Sequence, residues 1–155
     1  MRLTTKTRYG LRAVEELVMS GGQGPVPVSV IARNQNIPVP YLEQLLHKLK
    51  NRGIVRSVRG TRGGYVLAAD PSGITVYDVV KALEGDVAIV FCVSEDIKDR
   101  ERCDRTEKCV TRALWSSLNN SIKKTMESMS LKDLCGHVPE GGLQACSAHK
   151  FHYSI

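Results

Sequence analysis

Along the first half of the chain, apolar residues recur with the period of helices. Tyr9, Ala13, Val14, Leu17 and Val18 share one face of a segment that Thr5 can cap and that Gly21-Gly22 can end near Ser20. "GPVPV" then reads as an extended link stiffened by Pro25 and Pro27. Ser29 can cap a short second helix over "VIARNQN", and "IPVP" turns the chain. Pro40 suits the first turn of a third helix, "PYLEQLLHKLKNRG". Leu42, Leu45, Leu46 and Leu49 give that helix an inner stripe, with Tyr41, Gln44, His47 and Lys48 toward the other side. The period then falls from 3.6 to 2: "IVRSVRGTRGGYVLA" predicts two short strands around a glycine-rich turn at residues 60–64.

Past Asp70-Pro71-Ser72-Gly73, "ITVYDVVKALEG" predicts a short amphipathic helix ended by Gly85. Val110, Leu114, Leu118, Ile122, Met126 and Met129 recur at spacings of three and four, predicting one long helix from Val110 to Met129. About 20 residues of helix span about 30 Å, more than a small domain needs to cover, so the stripe packs most economically against its own copy in a two-fold dimer. "SLKDL" reads as a last helical turn, and the remainder is loosely patterned and expected to be mobile.

Two short helices joined by a turn and followed by a basic hairpin are the layout of a winged helix-turn-helix. The expected fold is therefore mainly α with a small β-hairpin. Residues 1–70 form the DNA-binding domain, 71–86 a connecting helix and 87–110 a cysteine-containing loop. Residues 110–134 supply the dimerisation helix and final turn, and 135–155 a flexible tail.

Charge sharpens this picture. Eleven of the 22 Lys and Arg residues lie in positions 1–70 against four acids (Glu15, Glu16, Glu43 and Asp70), a net of +7, while the remaining 11 bases and 12 acids leave −1 for residues 71–155. Lys48, Lys50, Arg52, Arg56, Arg59 and Arg62 follow one another with no acid between them. Such a stripe suits a polyanion, although a solvated surface has the same composition. An aromatic content of 5% disfavours a large aromatic-lined substrate cavity. No run of 18 apolar residues exists and the N-terminus lacks a signal-peptide core, so a cytoplasmic protein without a membrane span is expected. No P-loop, G-x-S-x-G, H-E-x-x-H or C-x-x-C occurs, which argues against an enzyme.

Cys92, Cys103 and Cys109 stand in a charged stretch that can bury little, so they read as ligands or redox groups rather than packing. Structural zinc sites place two cysteines two to four residues apart, and no such pair exists here. Thiol oxidation remains open, with Arg102, Arg105 and Lys108 flanking Cys103 and Cys109. Cys146, His149 and His152 have metal-like spacing but suit an incidental tail, while Cys135, Tyr77 and Trp115 read as packing and His137 has no visible partner.

The stretches "MRLTTKTRYGLRA", "GPVPV", "YLEQLL", "VRGTRGGYVLA" and "KCVTRALW" together resemble IscR-type members of the Rrf family of bacterial transcriptional regulators. The resemblance covers nearly everything before the tail. It implies a homodimeric regulator, expected to be a repressor, that binds a double-stranded DNA operator. It further implies an iron–sulfur cluster held by Cys92, Cys103 and Cys109, with [2Fe-2S] favoured over [4Fe-4S]. The gap of ten residues after Cys92 is longer than the five typical of IscR-type chains, while the five after Cys103 agree. The family's histidine ligand falls on Arg112 and the N-terminal carboxylate of other members on Arg8, and arginine offers no lone pair. Glu95, Asp96, Asp104, Glu107, Cys135, the tail or an exogenous molecule remain as the fourth donor. For DNA, Tyr41, Glu43 and Gln44 are expected in the major groove with Lys48 beside them. Arg59 and Arg62 are expected on the wing, where Gly60, Gly63 and Gly64 permit close approach.

Overall fold

The computed structural model describes residues 4–100, 103, 105 and 108–136. Helix α1 (Thr5–Met19) is capped by Thr4, one residue earlier than expected, whose hydroxyl accepts from the Lys6 N–H at 3.2 Å. Helix α2 (Val28–Gln35) begins ahead of its predicted start and takes Ser29 into its first turn. Pro27 stands at the N-cap with φ −62° and no side-chain cap; a fixed φ and a missing donor suit a helix entry. Asn36 turns the chain with φ 52° into α3 (Val39–Asn51), which carries Pro40 in its first turn. All four leucines of the α3 stripe are buried, packed with Ala13, Val14 and Leu17 of α1 and Ile31 of α2.

Strands β1 (Val55–Val58) and β2 (Gly64–Leu67) pair antiparallel, with Val55 opposite Leu67 and Val58 opposite Gly64. The hairpin has a third edge. Val26 of the proline link exchanges two backbone hydrogen bonds of 2.9 Å each with Tyr65, tying the wing to the entry of α2. Helix α4 (Val76–Glu84) opens with a reciprocal Thr75–Asp78 capping box and closes at Gly85.

Helix α4 contributes to the core as well as connecting. Ile74, Val79 and Leu83 join the cluster built by α1–α3 and β1, and so does Leu131 of α7 (Leu131–Gly136). An extended bridge between Thr75 and Ser130 delivers α7 there, with Val76 N–H on Met129 O and Leu131 N–H on Ile74 O, both at 2.9 Å. Gly10 lets α1 close on α4, since a Cβ there would overlap Leu83. The hydroxyls of Thr4 and Thr7 both donate to Glu84 on the same contact.

The long helix is shorter than predicted. Helix α6 (Arg112–Glu127) has 16 residues, about 24 Å. At its start the Thr111 hydroxyl meets the Cys109 sulfur instead of capping, and Val110 stands outside the helix, 93% exposed. At its end, residues 128–130 leave the helix to form the extended bridge with Thr75. The expected stripe also divides. Met126 and Met129 pack on Val76, Tyr77, Val80 and Val87, whereas Leu114 and Leu118 are 53% and 43% exposed. Between α4 and α6, the expected loop contains a 3-10 turn at Phe91–Val93 and the short α5 (Ile97–Arg100). No helix among the described residues is long and apolar enough to cross a membrane.

Candidate nucleic-acid interface and cysteine segment

The leucines that bury one face of α3 force its other face outward, and Glu43, Gln44, His47 and Lys48 all lie exposed there. Tyr41 is half-buried, its ring edge-on to Tyr9 at 6.0 Å between centroids. Helix α1 braces the turn before α3 as well. Arg12 lies 5.6 Å over the Tyr9 ring and donates through Nε to Gln35 Oε1 at 3.0 Å and through its terminal nitrogen to the Gln35 carbonyl. Gln35 and Asn34 in turn donate to the two oxygens of Glu16, at 2.8 and 2.6 Å. Periodicity alone does not show this bracing, because the partners lie about 20 residues apart in sequence.

The six cations from Lys48 to Arg62 are all exposed, so the stripe runs unbroken from the end of α3 to the wing. Lys50 Nζ donates to Ser57 Oγ at 2.8 Å and stitches the two together. Arg59 and Arg62 stand at the exposed turn, where Gly60 has φ 125° in open space. Gly63 has a packing reason internal to the wing, and Gly64 one where the wing meets the proline link. A Cβ on Gly63 would lie 2.5 Å from Val58 O, and one on Gly64 would overlap Val26 O and lie 2.8 Å from Pro27 N.

The three predicted cysteine ligands fall between α4 and α6. Cys92 is buried in the 3-10 turn, while Cys103 and Cys109 are half-buried further along. Hydrogen bonds from the Thr111 side chain and backbone hold the Cys109 thiol below its usual pKa, helped by the Arg112 N–H and the charge of Arg105. Cys135 differs: burial raises its pKa, and the charge of Glu15 adds to the effect. Soft thiols on one irregular segment, one of them biased toward thiolate, are donor chemistry that fits an iron–sulfur cluster. Among the described residues, no group of three or more His, Cys, Asp or Glu side chains stands close enough to hold a metal ion.

The candidate fourth donors divide. Glu95 gives Oε1 to Lys123 Nζ at 2.9 Å and Oε2 to Lys81 Nζ at 3.4 Å, which holds its carboxyl below the usual range. Asp96 accepts from the Lys98 N–H at 2.9 Å. Arg112 opens α6 with a buried Nε that has no hydrogen-bond partner. The expectations for Arg102, Asp104, Glu107, His137, Cys146, His149 and His152 concern residues outside those described.

A family profile described as "Iron-dependent Transcriptional regulator", Rrf2, matches residues 3–137. The chain belongs to the Rrf2 family. Its Rrf2 relatives include the HTH-type transcriptional regulator IscR of Photorhabdus laumondii, 40% identical over 134 residues, which cover 86% of this chain and 79% of that one. They also include the HTH-type transcriptional regulator CymR of Bacillus subtilis, 37% identical over 137 residues and covering 88% and 91%. Among solved structures, CymR, the global cysteine regulator of B. subtilis, superposes with a TM-score of 0.73 at 36% identity, covering 88% of this chain and 98% of that one. IscR of T. potens has the same TM-score at 33% identity, covering 91% and 90%. The Rrf2 assignment carries transcription regulation and DNA binding with it. It agrees with the winged helix-turn-helix expected from the sequence, and the relatives named are regulators, not enzymes.

Proposed function

We propose that this chain is a homodimeric, sequence-specific DNA-binding repressor that senses iron–sulfur cluster status and controls cluster-assembly or stress genes. Cys92, Cys103 and Cys109 hold the cluster, with [2Fe-2S] favoured by the likeness to IscR regulators. The observation that carries this reading is the placement of all three thiols on one segment between the α4 face of the DNA-binding domain and α6.

When bound, the cluster supplies a thiolate-ligated iron centre whose loss or oxidation is the signal. The rest belongs to the chain. Leu114 and Leu118 on α6, with Phe91 also exposed, form the apolar surface that a second copy covers. Dimerisation sets two α3 helices about one turn of DNA apart. Tyr41, Glu43, Gln44 and Lys48 meet one major groove, while Arg59 and Arg62 take phosphates from the wing, whose turn is kept compact by Gly60, Gly63 and Gly64. Gln44 can pair with adenine. Glu43 is costly beside phosphates unless a cytosine amino group meets it, so it sets sequence preference. Gathering the sulfurs reshapes the segment between α4 and α6 and so changes the spacing of the two recognition helices.

The likeness to CymR and the thiolate-biased Cys109 favour one second reading, in which oxidation of Cys103 and Cys109 is the switch and no cluster is held. Anaerobic purification with iron, zinc and sulfide quantified beside absorbance and EPR spectra separates the two. Iron and sulfide lost together in Cys103→Ala support the cluster. A colourless protein that resists anaerobic reconstitution overturns it in favour of the thiol reading.

A further inference from the structure

Glu95 sits three residues after Cys92, and its surroundings are unusual for a surface acid. Asp86 closes the segment on itself by accepting from the Ser94 hydroxyl and from the Glu95 N–H, the latter at 2.9 Å. The Ile89 N–H donates to Asn119 Oδ1 of α6 at 3.1 Å, so the same segment is pinned to that helix. Glu95 then divides its carboxylate between two elements, with Lys81 on α4 and Lys123 on α6. Both ammonium groups also lie over one ring, Tyr77, at 5.5 and 5.2 Å from its centroid.

One carboxylate is thus shared by two ammonium groups that converge on one aromatic ring, leaving a net charge of +1 there. Cation–π attraction favours each lysine at the ring, but two like charges brought to one ring repel. Removing the acid leaves that repulsion uncompensated at the α4–α6 contact. An ordinary exposed ion pair contributes little; a charge shared by two helices acts on their relative position.

We propose that Glu95 is a positioning residue: it locks α4 against α6 only while the cysteine segment is seated, and so transmits the state of that segment to the dimer helix. The inference rests on the regulatory reading above for its consequence on DNA, but its physical content does not need iron. Glu95 therefore acts as a strut and not as the fourth iron donor. Unseating the segment withdraws its carboxylate, and the two lysines then push α4 and α6 apart.

The test uses the full chain as Glu95→Gln, Lys123→Gln and the double variant. Hydrogen exchange of the amides at 86–96 and in the first turns of α6 is followed on iron-free protein. Glu95→Gln should exchange at least about fivefold faster there, and adding Lys123→Gln should restore protection, because it removes one of the repelling charges. A simple ion pair predicts no restoration. On protein purified anaerobically, Glu95→Gln should keep wild-type iron content. Its ratio of DNA affinities between iron-loaded and iron-free forms should fall toward one, for a duplex the protein itself selects from a random pool. A merely structural role would lower both affinities and leave the ratio alone. Unchanged exchange in Glu95→Gln, a double variant worse than the single, or loss of iron in Glu95→Gln each overturns the proposal. If wild-type protein holds no iron, the cluster reading fails while the exchange result still decides the strut.

Discussion

Gly64→Ala tests whether the wing is held from behind as well as by its own hairpin. A methyl at this position meets backbone on the other side: it overlaps Val26 O and lies 2.8 Å from Pro27 N. Neither is the movable end of a side chain, so the strand or the proline link must shift. The shift breaks the exchange between Val26 and Tyr65, two hydrogen bonds of 2.9 Å. At about 0.5–1.5 kcal/mol net for each bond, that loss is about 1–3 kcal/mol. Overpacking adds about 1–3 kcal/mol. The gain from a stiffer unfolded chain returns about 0.4–1 kcal/mol, leaving a net cost of about 1–6 kcal/mol. Urea unfolding should show a lower midpoint at unchanged slope, and DNA affinity should fall because Arg59 and Arg62 move with the strand. Gly60→Ala is the control: its φ of 125° is strained for alanine but nothing lies within 4 Å, so only the backbone strain of about 1–3 kcal/mol is expected. A Gly64→Ala protein within about 0.5 kcal/mol of the parent, the range of a neutral surface change, would mean that the Val26 edge does not hold the wing.

Arg59→Ala should weaken binding to all sequences alike and lower the slope of log affinity against log salt by about 1, whereas Glu43→Ala should relax discrimination by about 1–3 kcal/mol, both read by anisotropy on matched and mismatched duplexes. Loss of selectivity in the wing variant instead would reverse the two assignments. In iron-free protein near neutral pH, Cys109 should alkylate faster than Cys135, because a lowered pKa puts thiolate there at lower pH while burial delays it at Cys135; Thr111→Val should narrow the difference in peptide mass spectra. The proposed dimer should become a monomer in sedimentation on Leu118→Glu, with little loss of monomer stability, since the side chain is 43% exposed on the single chain.

Much of the DNA-binding half could be read from the sequence because its determinants are local. The α3 leucines, Pro40 in its first turn and the change of period at Ile54 each act within a few residues, and each element formed where they place it. The misjudged boundaries share a cause. Thr4 caps in place of Thr5, and Pro27 stands at the N-cap in place of Ser29, since neighbouring residues can serve and the entry of the chain decides between them. Contacts between distant stretches were not legible. Val26 on Tyr65, Leu131 in the main core, and Glu95 between Lys81 and Lys123 depend on how finished elements meet. The α6 stripe shows the same limit. One periodic pattern serves two surfaces, with Met126 on α4 and Leu114 and Leu118 left open. Spacing and surroundings mark the cysteines as candidate ligands or redox groups, but spacing says nothing about whether three sulfurs stand together, and among the described residues no three such side chains stand close enough to hold a metal ion.

Control of DNA binding by the state of the cysteine segment is tested by the affinity of one protein preparation for one selected duplex, measured anaerobically at fixed salt before and after the iron is removed. The two affinities should differ by at least about fivefold, the low end of ordinary allosteric coupling, and Cys103→Ala should abolish the difference. Equal affinities in the two forms, with iron present in the first and absent from the second, would contradict it.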